Sequence, residues 1–358
     1  MRGDAAASLR SAARPSGNFE IFRLASRHLL AGDDLYAEYP AEHSDRFKYS
    51  PTFALLFEPF AWLPWPLALF LWNSLNAVLL FLAVERVLSA RAALIAQSCL
   101  LLEVLRGMQN AQSNALVAAL IIFTFVALEK LRLWQAAAAT VLGASVKIFP
   151  LVALTFAIPR RRTIRTGLLA AGAAIVALAL PLLVTSPSTL LAQYASWRAV
   201  ESFDAGQRWF SVMELVHRWT GLAVPNWPIQ LAGTIALLAP LAVRRNRWDE
   251  APFRFLYLCS VLLYVVLFNH QAERASFLIA FVGATLWFAD NPTPLRTLLF
   301  GAAFVSIPLL STLVPGRIWR EETIMLYRLA IPTLAIWIAV QRSLWRRTVR
   351  VSDQASVA

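Results

Sequence analysis

Apolar runs recur along this chain at residues 66–88, 89–106, 114–130, 134–147, 148–160, 164–185, 227–244, 252–268, 274–290, 295–314 and 324–342, and most are as long as a bilayer crossing requires. No other feature narrows the fold as far. Backbone amides find no water in hydrocarbon, so a chain that enters it repeatedly does so as helices whose hydrogen bonds close within each run. The composition agrees, with 58% hydrophobic and 15% charged residues, and predicts an all-α polytopic membrane protein of about 11 transmembrane helices. The two runs on either side of Lys147 are short and read as tilted helices or a broken pair.

Charge sorts the connections. The formal net charge of +12 is spread as small clusters between apolar runs, which is a topology signal and not the single basic patch of a nucleic-acid binder. Arg86 and Arg91, Lys130 and Arg132, Arg160 to Arg162 with Arg165, Arg244, Arg245 and Arg247, Arg296, and the tail from Arg342 mark one set of loops as cytoplasmic. The alternate set, 32–65, 107–113, 186–226, 269–273 and 315–323, then faces outside. This places the protein in the inner (plasma) membrane with its polar loops toward the periplasm or cell exterior.

A single membrane domain over 18–342 is expected, with a polar, disordered segment at 1–17 and a basic cytoplasmic tail at 343–358. Eleven spans that end inside must begin outside, yet 1–17 holds no apolar core that could be exported. A further apolar helix upstream of the present start is therefore expected. Residues 18–31 read as an amphipathic interfacial helix ended by Gly32, and 52–64, which contain Pro59, as a second interfacial or re-entrant helix. Cys99 and Cys259 both lie inside apolar runs, which removes disulfide frameworks and CxxC metal sites. No nucleotide-binding, hydrolase or zinc-protease motif occurs, and no cofactor is implied.

Polar residues collect in the outer loops. The loop 32–51 carries Asp33, Asp34, Glu38, Glu42 and Asp45 with Tyr36, Lys48 and Tyr49, where carboxylates keep their charge without burial in hydrocarbon. LLEVLRGMQNAQSNAL brings Glu103, Asn110 and Asn114 to a turn between helices, where such residues serve as caps and amide contacts or as a site. Glu103, a turn inside a span, needs a partner or a task. Lys147 needs an anion, either a bound phosphate or Glu103. Segment 186–226 sets Arg208 among Trp197, Trp209 and Trp219, suited to sugar and phosphate contact and equally to an interfacial helix. LFNHQAERASF supplies His270, Glu273 and Arg274. If these clusters form one site, Asp34, Asn110, Lys147 and Glu273 line or border one cavity.

In order along the chain, NFEIFRLA, DLY, KYSPTFALLFEPFAWLP, QNAQSNAL, SVKIFP and FNHQAERASF resemble the bacterial members of glycosyltransferase family 87, which are similar to polyprenyl-phosphate-mannose-dependent mannosyltransferases. The likeness runs from Asn18 to the last span. It implies a GT-C fold, with interfacial helices and the catalytic acid in a first extracytoplasmic loop, and a lipid-linked sugar donor. The acid that many members carry after their first span falls at Asn18 here, so that Asp34, or after it Glu20, is expected to act as base.

The expected reaction is inverting transfer of a mannose-like hexose from a polyprenyl-phosphate donor to an extracytoplasmic lipid or glycan acceptor. A carboxylate takes the acceptor's proton, while Lys147, Arg208 or His270 stabilises the departing phosphate, and no metal is demanded. Tyr36, Lys48, Tyr49, Glu103, Asn110, Asn114 and Glu273 complete the expected substrate contacts. The alternative is a polytopic transporter or lipid flippase, which should show internal repeats and midplane charges.

Overall fold

The computed structural model describes residues 17–43, 45–314 and 321–346; the expected N-terminal segment up to residue 16, most of loop 315–323 and the tail beyond Arg346 lie outside the described residues. All regular structure among those described is helical. Long outer helices surround short central ones. Helices α1 (Gly17–Ala31), α2 (Pro51–Leu56) and α3 (Glu58–Trp62) precede α4 (Trp65–Glu85), α5 (Ala90–Gln109), α6 (Asn114–Glu129) and α7 (Leu133–Val146). After α8 (Thr163–Ala179) and its 3-10 extension Leu180–Leu183 come α9 (Pro187–Asp204), α10 (Val212–Thr220), α11 (Asn226–Val243), α12 (Ala251–Leu267) and α13 (Phe277–Asp290). Last come α14 (Pro294–Phe304), prolonged by Val305–Leu309 and Leu310–Leu313, and α15 (Glu322–Trp345).

Five described stretches are long and apolar enough to cross a membrane: Trp65–Glu85, Thr163–Leu183, Asn226–Val243, Pro294–Leu313 and Glu322–Trp345. Their outer faces show the side chains lipid would cover, such as Ile164, Leu168, Ile175 and Val176 on α8. Helices α6, α12 and α13 are apolar on nearly every side and almost wholly buried, which is why their sequences carry no amphipathic stripe. Surrounded by protein, they need not match the thickness of the bilayer.

The core depends on close backbone approach between α12 and α13. A methyl group on Gly283 would stand 2.9 Å from Leu262 Cβ and 3.0 Å from the Cys259 carbonyl oxygen. Backbone on one side leaves no soft neighbour to yield. Gly283→Ala is expected to lower stability by about 1–3 kcal/mol, the usual cost of overpacking. Thermal unfolding in detergent checks this, and an unchanged midpoint would show that the crossing can slide.

Two of the sequence readings resolve into breaks. The run 148–160 is not an α-helical span: α7 stops at Val146, Lys147 is extended (φ −145°, ψ 135°), and a 3-10 helix covers Phe149–Ala157. Pro150 contributes to the break, because it brings no N–H to an α-helical ladder and its ring would crowd the carbonyl of Val146 four residues back. Gly143 lets it fold back, since a Cβ there would lie 3.1 Å from Pro150. Residues 52–64 likewise form two short helices, interrupted at Phe57 with Pro59 in the first turn of the second.

Helix α1 is not a free interfacial helix. Phe19, Phe22, Ala25 and Leu29 recur at helical spacing and are buried, with Phe22 edge-on to Tyr49, Phe53, Phe57 and Trp72. Arg23, buried beside them, donates to the carbonyls of Ala61 (2.9 Å) and Leu63 (3.1 Å), which closes the C-terminal end of α3.

The basic loops meet on one face. Glu129 accepts two bonds from Arg254 (2.7 and 2.8 Å) and lies 4.0 Å from Arg160, Arg161 pairs with Asp249 (3.3 Å), and Arg247 donates to Leu344 O (3.1 Å). The other loops gather at the opposite face, where Leu35 N donates to Gln193 Oε1 (3.0 Å), Phe210 N to Ala272 O (3.1 Å) and Asn18 Nδ2 to Asn110 O (3.0 Å).

Candidate active site

At that second face, seven parts of the chain enclose a cavity of about 390 Å³. Asn18, Ile21 and Phe22 come from α1, Asp45, Arg46, Lys48 and Tyr49 from the loop before α2, and Gln112 from the turn before α6. The break after α7 contributes Val146, Lys147, Ile148 and Phe149, and α9 contributes Tyr194, Trp197, Arg198, Glu201 and Asp204. Trp209 and the loop residues Asn269, His270, Gln271 and Glu273 complete the wall. Carboxylates and cations are thus interleaved with aromatic and aliphatic surface, and Ile148, 62% exposed, carries that surface outward.

The helix break aims Lys147 into the cavity. Its Nζ donates to Asn114 Oδ1 (2.9 Å), and Asn114 Nδ2 donates to Gln112 Oε1 (3.2 Å), so a buried amide pair fixes the ammonium. Glu273, also on the cavity wall, supplies the opposing charge. Lys48 pairs with Asp204 at 3.1 Å. Burial by itself would make Lys48 less basic, but Asp45, Asp204 and Glu273 together outweigh it and push its pKa up.

The second donor is His270. Gln230 Nε2 lies 3.4 Å from its Nδ1, and an amide nitrogen only donates, so Nδ1 accepts and the neutral ring carries its proton on Nε2. That Nε2 is buried and has no hydrogen-bond partner among the described residues. Burial holds the imidazole pKa below its ordinary value against the opposing pull of Asp204, which keeps the ring a neutral donor at pH 7. Glu201 behaves in the opposite sense, since burial and then Asp204 push its carboxyl pKa up.

Of the residues singled out from sequence, the cavity gathers Lys48, Tyr49, Lys147, His270 and Glu273. Asn114 stands directly behind Lys147, and Asn110 borders the site through the carbonyl that holds Asn18. The others lie outside this lining. Asp34 is exposed and outside the lining: Oδ1 accepts from Tyr36 N (3.0 Å) and Oδ2 from Ser196 Oγ (3.1 Å), a turn clamp tying its loop to α9. Glu20 accepts from Trp65 Nε1 (3.3 Å), also outside the lining. Tyr36 is buried and donates to Tyr49 O (2.7 Å). Arg208 donates to Val224 O (3.1 Å) and lines a separate chamber of about 500 Å³.

Glu103 does not reach Lys147. It is 1% exposed and forms a two-armed ion pair with Arg274, one arm at 2.8 Å, while Arg274 also donates to Ile307 O (3.4 Å). Its partner in the span is therefore the chain itself. Sequence reasoning passed over Glu201 and Asp204, whose spacing of three residues on α9 was the available signal. The position where the resemblance expects an acid, Asn18, does line the cavity.

The bundle thus joins apolar helices long enough to cross a membrane to a polar, carboxylate-bearing cavity. The sequence model of glycosyltransferase family 87 matches residues 47–269, more than half of the chain, and the protein belongs to that family. The match takes in Lys48, Tyr49, Lys147, Glu201 and Asp204. A search among curated proteins gave no match.

Proposed function

We propose that this glycosyltransferase moves a mannose-like hexose from a polyprenyl-phosphate donor to a lipid or glycan acceptor, with inversion, at the extracytoplasmic face of the inner membrane. The observation that carries the reading is the pairing, in one cavity, of a fixed ammonium (Lys147) and an imidazole N–H without a partner among the described residues (His270 Nε2) with an aliphatic edge at Ile148. Two donors of that kind suit a phosphate monoanion with a lipid tail, and the positive-inside rule puts the opposite, basic face in the cytoplasm.

In the reaction the acceptor oxygen attacks the anomeric carbon from the side opposite the phosphate. The new C–O bond forms as the bond from carbon to phosphate oxygen breaks, and the leaving group departs with the electron pair. A cavity carboxylate receives the hydroxyl proton. Charge grows on the phosphate, where Lys147 and His270 are already oriented, so little reorganisation is needed at the moment of transfer. Trp197 and Trp209 offer ring faces for the sugar.

Lipid flipping without chemistry is the second reading, and the one-sided position of the cavity disfavours it. Reconstituted protein given radiolabelled polyprenyl-phosphate hexoses and an acceptor-containing lipid extract separates the two. Labelled glycoside formation supports the transferase. Label that only changes leaflet supports the flippase.

A further inference from the structure

Four carboxylates line the cavity, and three already have an assignment. Asp204, 9% exposed, is paired with Lys48 at 3.1 Å. Asp45 accepts its neighbour's N–H (Arg46, 2.8 Å), which shapes its own turn. Glu273, exposed on the wall, acts through its charge on both Lys147 and Lys48, with no direct ion pair to Lys147 among the described residues. Among the described residues Glu201 is hydrogen-bonded by neutral donors, Gln271 Nε2 at 3.4 Å, which also lies 3.5 Å from Asp204 Oδ2, and the Trp197 side chain, while Lys48 acts on it through charge alone. Asn18, across the same cavity, is an amide and cannot take a proton.

We propose that Glu201 is the proton acceptor of the transfer reaction and that the acceptor substrate reaches it through an adjoining outer chamber. This rests on the donor assignment made above. The chamber, about 660 Å³, is lined by Glu38, Tyr39, His43 and Phe203, and it shares Asp45, Arg46, Lys48 and Asp204 with the inner cavity. Asp204 lies one helical turn beyond Glu201, so the Lys48–Asp204 pair forms the wall between the compartments and Glu201 sits on its inner side. The outer compartment joins polar groups to the ring of Phe203, 75% exposed, and suits a hydroxyl-rich headgroup such as a glycosylated or polyol lipid.

The chemistry is a single displacement. The acceptor O–H proton passes to a Glu201 carboxylate oxygen as the oxygen bonds to the anomeric carbon, and the polyprenyl phosphate leaves as the anion. Burial and the neighbouring Asp204 make Glu201 a stronger base than a solvated glutamate, which helps proton transfer near neutral pH. The other charged groups on the cavity wall are Arg198 and Asp204 on α9, Asp45, Arg46 and Lys48 before α2, Lys147, and His270 and Glu273 opposite. Because the base acts deprotonated, kcat/KM should fall as pH drops through a pKa above the ordinary glutamate value.

The test uses the full chain in lipid nanodiscs, with a radiolabelled polyprenyl-phosphate hexose for transfer and quenching of tryptophan fluorescence for donor binding. Glu201→Gln should lower transfer about 10²–10⁴-fold, leave donor affinity within about threefold, a margin small in free energy, and remove the acidic limb of the pH profile. Glu201→Asp should keep part of the rate with the limb shifted. Monodisperse elution and an unchanged melting point guard against misfolding. Undiminished transfer by Glu201→Gln overturns the assignment. So does donor binding without transfer in the wild type when Asn18→Asp transfers, because the cavity then binds its donor but lacks a working base. Failure of the wild type to bind any polyprenyl-phosphate hexose overturns the donor reading itself, and with it the role of Glu201.

Discussion

Replacing Lys147 with methionine should lower transfer by about 10²–10³-fold, the scale on which a single oriented donor to developing charge contributes. The substitution keeps the stem that packs at the end of α7 and removes the ammonium that Asn114 positions. Glu273 is exposed and also faces Lys48, so only a small change in stability is expected beside the fall in rate. The double variant Lys147→Met with Glu273→Gln separates these effects. It should match the single variant in stability, because Glu273 is exposed and makes no direct ion pair with Lys147 among the described residues, and should not recover transfer, because the phosphate still lacks its cation. Assays on wild-type and both variants, each with a melting curve, decide the matter. Transfer restored in the double variant would mean that Lys147 serves the fold alone.

Glu103→Ala should destabilise the protein by about 3–5 kcal/mol, the usual penalty for stripping one partner from a buried ion pair. Arg274 would keep its charge beside the carbonyl of Ile307 with no carboxylate to balance it. The pair joins α5 to the turn Arg274–Ser276, directly after the cavity residues Gln271 and Glu273, and to the irregular stretch Val305–Leu309. Removing both members, in Glu103→Ala with Arg274→Met, should return a large part of the loss. Donor binding per folded molecule should change little in either variant, since Glu103 does not line the cavity. Unfolding by heat in detergent gives the first number, and fluorescence quenching on the monodisperse fraction gives the second. A stable Glu103→Ala protein that no longer binds donor would return this acid to the substrate-contact role its sequence position invites.

Glu103 also illustrates what a sequence can and cannot show here. A carboxylate inside an apolar run announces that it has a partner, but nothing local says whether that partner is a ligand or Arg274, 171 residues away. The helical architecture was readable for a simple reason: each apolar run reports its own environment. The break at Lys147 was readable only in part, because the short runs on either side suit tilted helices as well as a broken pair. An acid that shapes a turn and an acid that does chemistry look alike in an exposed loop; what the sequence could not show is that Asp34 bonds Tyr36 and Ser196 outside the cavity lining. Glu201 and Asp204 were hidden in a segment whose pattern reads equally well as an interfacial helix. Their meaning comes from Lys48 and Gln271, which reach them from distant parts of the chain.

The central claim is that one cavity carries out inverting glycosyl transfer from a lipid phosphate. Product stereochemistry tests it most directly: purified protein in nanodiscs is given a polyprenyl phosphate bearing a hexose of known anomeric configuration, and the linkage in the product is read by NMR. The result predicted is a glycoside of opposite configuration, formed at similar rates by the wild type and Asp34→Asn and lost in Lys147→Met. A product with retained configuration, or relocation of intact donor between leaflets with no glycoside formed, would contradict it.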